Sequence, residues 1–232
     1  MNEYPKVLVL GDGLLGKEMI KQSGWEYLSH RQDGFDVTQD FNHLAALIDD
    51  NDPDVVVNCI GYTDTYSKER DVHWKVNYEF VVNLANFCDS RDIKLVHIST
   101  DYIFANWREG QVKETDVPVS QNTWYAYTKL ISDAYVQLSS NYLLIRCSFK
   151  PKPFPYDNAF TNIWGSFDYV DVIAAQIIEL INEDRTGIWN IGTEYKSVYD
   201  LAKQTKPDVG ESKSSKLPNI KLDLTKFNTR NK

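Results

Sequence analysis

The segment Lys6-Val-Leu-Val-Leu10-Gly11-Asp-Gly13-Leu-Leu-Gly16 joins an apolar run to a glycine-rich turn. Consecutive large aliphatic residues are typical of a strand that is buried on both faces of a parallel sheet. A helical pattern, KEMIKQ, follows the turn. A strand, a glycine turn and a helix in this order favour a dinucleotide-binding fingerprint, because the glycines allow a close approach to a pyrophosphate at the helix N-terminus. The alternative is a plain turn in an α/β protein that binds no nucleotide.

Four further apolar runs predict the other strands, and helical patterns separate them. The predicted strands cover Trp25–Ser29, Pro53–Asn58, Ile93–Ile98 and Leu143–Arg146. A helix is predicted from about Asp71 to Ser90, with Val72, Val76, Phe80 and Leu84 on its buried face. This alternation predicts an α/β fold, namely a Rossmann-type doubly wound parallel sheet. We expect a dinucleotide-binding domain over residues 1–148 and a small, reduced substrate-binding part over 149–232, interleaved with the last sheet elements.

The overall composition excludes several classes of function. The chain has 232 residues, 42% of them hydrophobic, and a net charge of −8, which argues against nucleic-acid binding and against binding to an anionic membrane. Three widely spaced cysteines fit reduced thiols, and the four histidines show no metal-ligand spacing, so no metal site is predicted. The N-terminus enters a strand at once and lacks the pattern of a signal peptide, so we expect a cytoplasmic protein. The many aromatic residues are compatible with a homodimer face.

The end of the second strand bears on the choice of cofactor. The acidic residue that would bind a ribose 2′-hydroxyl is missing there, and Ser29, His30 and Arg31 take its place. A hydroxyl and a cation suit a 2′-phosphate, which favours NADP, with NAD as the alternative. An exposed, solvated Arg31 would explain the sequence equally well. Asp36 follows near the expected position of an adenine.

Polar residues at the ends of the third and fourth strands are candidate ligands, because the carboxyl ends of parallel strands carry the site in such sheets. The fourth strand ends in Ser99-Thr100-Asp101-Tyr102, whose hydroxyls can hydrogen-bond a substrate oxygen. His97, in the apolar run before them, has the pattern of a satisfied core histidine. Asn77 lies mid-helix, where most asparagines are exposed.

Tyr125 and Lys129 are four residues apart, one turn along a predicted helix. A lysine cation beside a phenol lowers the pKa of the phenol, which suits an acid that donates a proton to a carbonyl oxygen. Taken alone, the spacing is more typical of an ordinary surface pair.

Five features in one order resemble a known family. They are the glycine turn, NCIGYTD at 58–64, Val76-Asn77, STDYIF at 99–104, and Y-x-x-x-K at 125–129 followed by LIRCSF at 144–149. Together they resemble the extended short-chain dehydrogenases and, most of all, the dTDP-4-dehydrorhamnose reductase family, which has N-A-A-Y-T, S-T-D-Y-V-F, Y-G-x-T-K-L and I-R-T-S-W at these places. The resemblance covers about residues 5–150 and resumes in YVDVIAAQIIELI, GIWNIG and the segment 216–223.

The resemblance implies an NAD(P)H-dependent reductase of a nucleotide-activated 4-keto-6-deoxy sugar. Thr100, Tyr125 and Lys129 would form the catalytic set: Tyr125 protonates the keto oxygen, Lys129 lowers the Tyr125 pKa and holds the nicotinamide ribose, and Thr100 orients the carbonyl. The implied substrate contacts are Thr63, Asp101, Tyr102 and Phe149. The implied cofactor contacts, besides Tyr125 and Lys129, are Gly11, Gly13, Leu14, Leu15, Gly16, Ser29, His30, Arg31, Asp36, Val37, Cys59, Ile60, Gly61, Tyr62, Asn77 and Ser99.

Three departures from the family pattern keep two alternatives open. The glycine turn is one residue shorter, Cys147-Ser148-Phe149 replaces T-S-W, and a short proline- and aromatic-rich segment at 150–168 stands where the family has a longer substrate-binding segment. The first alternative is a non-catalytic NAD(P)-binding regulatory protein on the same fold. The second is a dehydrogenase, or a combined epimerase and reductase, for another nucleotide sugar.

Overall fold

The computed structural model of the protein describes residues 5–107, 110–118 and 123–231. The strands are β1 (Val7–Leu10), β2 (Glu26–Leu28), β3 (Val55–Asn58), β4 (Lys94–Ile98), β5 (Tyr142–Arg146), β6 (Phe149–Lys150), β7 (Asn158–Phe160), β8 (Trp164–Gly165), β9 (Asp168–Tyr169), β10 (Gly187–Asn190), β11 (Lys196–Ser197) and β12 (Gly210–Ser212). The α-helices are α1 (Leu14–Ser23), α2 (His30–Asp33), α3 (Phe41–Asn51), α4 (Arg70–Trp74), α5 (Phe80–Ser90), α6 (Trp124–Val136), α7 (Val170–Asn182), α8 (Val198–Lys203) and α9 (Thr225–Thr229). A π-helical turn spans Lys75–Glu79, and a 3₁₀ turn spans Asp101–Phe104.

The central sheet is parallel and has the strand order β10-β5-β4-β3-β1-β2. The predicted doubly wound fold is therefore confirmed, and each of the five predicted strands overlaps an observed one. Strand order reverses direction between β1 and β3, and a crevice at the carboxyl ends of the strands forms at such a switch point. The turn after β1 and the loop after β3 thus lie side by side.

Apolar side chains on the two faces of the sheet alternate along each strand, and each set packs under its own helices. Val7, Val9 and Val57 contribute to the cluster under α1 and α7, whereas Leu8 and Val56 contribute to the cluster under α3, α5 and α6. This alternation follows from the two-residue period of a strand, and burial on both faces explains the continuous aliphatic runs in the sequence. No helix in the described part of the chain combines the length and apolar character that crossing a bilayer requires.

After β5, α7 and β10 complete the main sheet and its helical layer, and the remaining short strands and α8 form a small unit beside the cavity at the carboxyl ends of the strands. Short two-stranded pairings join β7 to β12, β8 to β11 and β6 to β9. Phe154, Phe167 and Leu201 belong to the apolar core of this unit. A second cluster, in which Phe104 packs with Leu222, attaches it to the turn after β4.

The helix predicted from Asp71 to Ser90 differs from the observed one in its middle. The π-helical turn shifts the buried face, so His73 and Asn77 are buried, whereas Val72 and Val76 are only half-buried. The prediction was wrong for these two valines and correct for Phe80 and Leu84, which follow the turn. Such inserted turns are frequent at functional sites, and this one places Asn77 beside the loop after β3.

The glycine turn depends on contact between two backbone segments. Gly11 has φ +96° and donates its N–H to the carbonyl of Leu28 at 2.8 Å. A Cβ on Gly16 would lie 2.0 Å from the carbonyl oxygen of Gly11, whereas a Cβ on Gly13 would meet nothing within 4 Å. A side chain at Gly16 would therefore push α1 away from β1.

Gly16→Ala is expected to lower the free energy of unfolding by about 3 kcal/mol or more, because the methyl group overlaps backbone atoms that cannot move independently. Gly13→Ala is the matched control and is expected to change it by less than about 1 kcal/mol. Urea denaturation followed by circular dichroism measures both. Equal stability of the two variants would contradict the close approach of α1 to β1.

Candidate active site

The glycine turn leaves the N-terminus of α1 open. Gly13 is the N-cap residue and provides no side-chain hydrogen bond to the first N–H groups of the helix. Unpaired N–H groups and the helix dipole favour an anion at this position. Gly13, Leu14 and Leu15 line a cavity of about 1110 Å³ at the carboxyl ends of the strands. The open space over Gly13 and the free N–H groups fit a pyrophosphate.

The residues after β2 divide between a helix cap and exposed positions. Ser29 is 1% exposed, and its hydroxyl accepts a hydrogen bond from the Gln32 N–H as the N-cap of α2. The Ser29 hydroxyl is therefore buried in the cap of α2, and its contact with a 2′-phosphate stays a prediction. His30 is exposed, and its Nδ1 lies 2.5 Å from the Phe35 carbonyl oxygen. Arg31 is also exposed, with a guanidinium nitrogen 3.8 Å from the Asp12 carboxylate.

Asp36 closes a local turn. Its carboxylate accepts hydrogen bonds from the N–H and the hydroxyl of Thr38, at 2.9 Å and 2.7 Å, and from the amide of Gln39. The hydrogen bonds from Thr38 lower the pKa of Asp36. This carboxylate therefore shapes the turn next to Val37.

The loop after β3 is held by Asn77. The Tyr62 N–H donates to Asn77 Oδ1 at 2.8 Å, and Asn77 Nδ2 donates to the Tyr62 carbonyl at 3.0 Å. Both ends of the amide are thus paired with the backbone of one residue, Tyr62, although Asn77 also lines the cavity. Asn77 thus holds the backbone of Tyr62, which follows the cavity-lining residues Cys59, Ile60 and Gly61, and its direct contact with a cofactor stays a prediction. Burial raises the pKa of the Cys59 thiol to about 12, so this thiol stays protonated.

The end of β4 supplies three polar side chains. Thr100 is the N-cap of the 3₁₀ turn, and its Oγ1 accepts from the Tyr102 N–H at 3.1 Å. Asp101 is 7% exposed, and burial raises the pKa of its carboxyl group to about 6. The hydroxyl of Tyr102 lies 2.5 Å from that of Tyr66, so it contacts the loop after β3.

Helix α6 brings Tyr125 and Lys129 to the same cavity. The hydroxyl of Thr123 caps the helix by accepting from the Ala126 N–H at 3.1 Å. Desolvation raises the pKa of Tyr125 to about 12, while a hydrogen bond with Thr100 acts in the opposite direction. The expected depression of the Tyr125 pKa by Lys129 is therefore not observed in this arrangement.

The hydrogen-bond partners of Lys129 explain why it does not lower the pKa of Tyr125. Its Nζ lies 3.0 Å from Nε2 of His97 and donates to the Ile98 carbonyl oxygen at 2.8 Å. The Lys129 Nζ thus points into the sheet, toward β4. Burial lowers the pKa of Lys129 to about 8, with Asp133 acting in the opposite direction.

The small unit after β5 closes the cavity with mostly aromatic residues. Phe149, Phe154 and Phe167 line it, together with Lys150, whose Nζ lies 5.3 Å from the centre of the Phe167 ring. Burial lowers the pKa of Lys150, and the nearby Asp101 carboxylate acts in the opposite direction. The segment at 150–168 thus contributes directly to the wall opposite the glycine turn.

The predicted site residues divide into two groups. Those that line the cavity are Gly13, Leu14, Leu15, Cys59, Ile60, Gly61, Thr63, Asn77, Ser99, Thr100, Asp101, Tyr102, Tyr125, Lys129 and Phe149. Those that do not are Gly11, Gly16, Ser29, His30, Arg31, Asp36, Val37 and Tyr62. Most of the second group surround the glycine turn and the end of β2, where an adenosine would extend from the cavity.

Several residues in or next to the site were not predicted as functional, among them Lys150, which lines the cavity, and His97, which contacts Lys129. His97 was predicted only as a satisfied core histidine, and Asn58 and Lys150 were not singled out. His97 is indeed fully buried, but its partners are Asn58 and Lys129. The sequence signal that could have identified them is their position at or next to the carboxyl end of a strand, where such sheets carry their sites.

Known proteins are similar to this chain in sequence and in structure. Residues 5–150 match the family model described as the RmlD substrate binding domain. A probable low-salt glycan biosynthesis reductase, Agl14, of Haloferax volcanii is 35% identical over 117 residues, covering 49% of this chain and 38% of the relative. A dTDP-4-dehydrorhamnose reductase of Aggregatibacter actinomycetemcomitans is 29% identical over 119 residues, covering 48% and 40%. These alignments therefore span less than half of either relative.

Similarity at the level of the fold extends over the whole chain. The crystal structure of a Bacillus anthracis dTDP-4-dehydrorhamnose reductase in complex with NADP superposes with a TM-score of 0.83 at 19% identity. The alignment covers 100% of this chain and 94% of that one. At this identity the similarity establishes the fold.

Asn77→Ala is expected to lower the free energy of unfolding by about 1–3 kcal/mol, because it leaves the N–H and carbonyl of Tyr62 without their partner. Asn83→Ala, on an exposed position of the same helical segment, is the control and is expected to be nearly neutral. Thermal and urea denaturation compare the two variants. Equal stabilities would contradict the role of Asn77 in holding the loop.

Proposed function

The chain belongs to the RmlD substrate binding domain family, and on that premise we propose that it is an NAD(P)H-dependent reductase of a nucleotide-activated 4-keto-6-deoxy sugar. One observation carries the proposal: Thr100, Tyr125 and Lys129 line the same cavity as the glycine turn. Residues 1–148 would supply the cofactor half of the site, and residues 149–232 would supply the substrate half.

The glycine turn would hold the cofactor. The N–H groups at the start of α1 would bind the pyrophosphate over Gly13, where a side chain is absent and the space is open. Cys59, Ile60 and Gly61 would lie along the nicotinamide half. When bound there, a reduced nicotinamide supplies a hydride to the carbonyl carbon of the substrate.

Tyr125 would act as the general acid. Its raised pKa keeps the phenol protonated throughout the neutral range, so the proton is present, and a nearby cation would favour its release by stabilising the phenolate. As the carbonyl carbon gains a hydride, the carbonyl oxygen takes the proton of Tyr125, and the sugar ketone becomes an alcohol. Thr100 would donate its hydroxyl hydrogen to the same oxygen and stabilise the charge that develops on it.

Lys129 would stabilise the phenolate that Tyr125 becomes. It lies one helical turn from Tyr125 and is 5% exposed, so its charge acts in a poorly solvated environment. Its remaining N–H groups would hold a ribose hydroxyl of the cofactor.

Tyr125→Phe is expected to bind NADPH with unchanged affinity and to lose turnover by about 10²-fold or more, because only the donated proton is removed. Tyr127→Phe is the matched control, since Tyr127 is 42% exposed on the same helix, and its turnover should stay at the wild-type level. NADPH oxidation at 340 nm with a dTDP-linked 4-keto-6-deoxy sugar measures turnover. Undiminished activity of Tyr125→Phe would contradict the assignment of the acid.

We propose NADP as the preferred cofactor, with Arg31 as the contact for the 2′-phosphate. Arg31→Ala is expected to weaken NADPH binding about tenfold, because it removes one charge-assisted contact with the 2′-phosphate. NADH has no 2′-phosphate, so its binding should stay unchanged. Lys21→Ala removes an equally exposed charge elsewhere on the surface and serves as control. Fluorescence titration with both reduced cofactors gives the affinities. An equal loss for NADH and NADPH would contradict the role of Arg31.

The charged pair Asp101 and Lys150 favours a second candidate function, a combined epimerase and reductase. Both residues line the cavity, and the raised pKa of Asp101 suits a group that exchanges protons near neutral pH. An epimerase would exchange the hydrogen next to the keto group with solvent. Deuterium incorporation into recovered sugar in D₂O, without NADPH, distinguishes this candidate from a simple reductase.

A further inference from the structure

Asn58, His97 and Lys129 form a buried chain that runs from β3 through β4 to α6. Asn58 Nδ2 lies 3.3 Å from His97 Nδ1, and His97 Nε2 lies 3.0 Å from Lys129 Nζ. The three residues are 1%, 0% and 5% exposed, respectively. In such a buried environment each hydrogen-bond donor has to face an acceptor. Two donors that face each other would lose a hydrogen bond, and bulk water does not reach these buried groups to replace it.

The orientation of the Asn58 amide follows from the backbone. The Ile60 N–H donates to Asn58 Oδ1 at 3.0 Å, and a backbone N–H can only donate. Nδ2 therefore faces His97, and an amide nitrogen also can only donate. It follows that Nδ1 of His97 accepts and carries no hydrogen.

The state of Lys129 follows from the state of His97. A neutral imidazole without hydrogen on Nδ1 carries it on Nε2, which then donates toward Lys129 Nζ. Nζ can accept only as an amine with a free lone pair. Its own hydrogens remain available for the Ile98 carbonyl oxygen, 2.8 Å away, and for the cavity.

We propose that His97 is a positioning residue that couples the protonation of Lys129 to the choice of the imidazole tautomer. With Lys129 as an amine, His97 carries its hydrogen on Nε2, and the contact with Asn58 is satisfied. With Lys129 as an ammonium, Nε2 has to accept, so the imidazole carries its hydrogen on Nδ1, opposite the Asn58 amide. The change takes up one proton from solvent, and the imidazole is neutral in both states.

The charged groups around Lys129 are consistent with this coupling. Burial lowers the pKa of Lys129 to about 8, while Asp133 on its own helix and Cys147 after β5 act in the opposite direction. Arg146 on β5 lies 3.5 Å from Asp133, so that carboxylate is already paired. Burial, followed by the nearby Lys129, holds the pKa of His97 well below 6.5, which excludes an imidazolium in the neutral range.

The consequence for catalysis rests on the proposed function. The ammonium form of Lys129 is the one that stabilises a phenolate on Tyr125. Because the depressed pKa means that the ammonium is lost as the pH rises, the reductase rate should fall as the pH rises through about 8. The chain through His97 to Asn58 would thus set the upper limit of the working pH range.

Nitrogen-15 NMR of histidine-labelled, cofactor-free protein tests the coupling without any activity assay. The shifts of the two ring nitrogens identify the tautomer, and His97→Gln assigns the signal among the four histidines. We expect the Nε2–H tautomer above about pH 8 and a change to the Nδ1–H tautomer below it, with no imidazolium. A single tautomer at all pH values, or a titration to the imidazolium, would overturn the proposal.

Two variants sharpen the test. Asn58→Asp provides a carboxylate that accepts from Nδ1–H, so His97 should keep the Nδ1–H tautomer to higher pH, and the transition should move up by about one pH unit or more. Asn83→Asp makes the same charge change at an exposed position and should leave the transition in place. Lys129→Gln removes the titrating group, so His97 should keep one tautomer throughout. A wild-type transition in either Asn58→Asp or Lys129→Gln would contradict the coupling.

The outcome separates this inference from the proposed function. A tautomer transition in a protein that reduces no nucleotide sugar supports the coupling and contradicts the reductase. An active reductase with one fixed His97 tautomer contradicts the coupling and leaves the reductase intact.

Discussion

The contact between Lys129 Nζ and β4, made through His97 and the Ile98 carbonyl oxygen, is the interaction on which the site depends. It fixes α6 against the middle of the sheet, and one turn earlier on that helix Tyr125 reaches the cavity. Lys129 is buried, and the two hydrogen-bond partners of its Nζ, His97 and the Ile98 carbonyl oxygen, both belong to β4. The contact of Lys129 with β4 therefore sets the position of Tyr125, the candidate acid, on the same helix.

Burial acts on the ionisable groups of the cavity in one consistent way: it disfavours their charged forms. It raises the pKa of Tyr125 to about 12 and that of Asp101 to about 6, and it lowers the pKa of Lys129 to about 8. Burial thus keeps the phenol protonated, and its proton would be released only where the ammonium form of Lys129 stabilises the phenolate. The same surroundings would oppose the reverse reaction, which needs the phenolate at the start.

Much of the fold could be predicted because strands buried on both faces and a glycine turn have strong local patterns. Thr100, Tyr125 and Lys129 could be predicted from motif order, and all three line the cavity. Two other roles could not be predicted: the capping of α2 by Ser29 and the hydrogen bonds between Asn77 and the Tyr62 backbone. Each depends on which backbone groups come close in the folded chain. The π-helical turn at Lys75–Glu79 has no periodic signal, so the buried face of that helix was misplaced.

We propose that a cofactor at the glycine-turn end of the cavity and Tyr125 act on one carbonyl group. The most direct measurement uses NADPH deuterated at C4 of the nicotinamide, together with a dTDP-linked 4-keto-6-deoxy sugar, followed by mass spectrometry and NMR of the sugar. We expect one deuterium bonded to C4 of the product sugar, on the carbon that carries the new hydroxyl group. Recovery of the unreduced sugar together with intact deuterated NADPH, from protein shown to bind both, would contradict it.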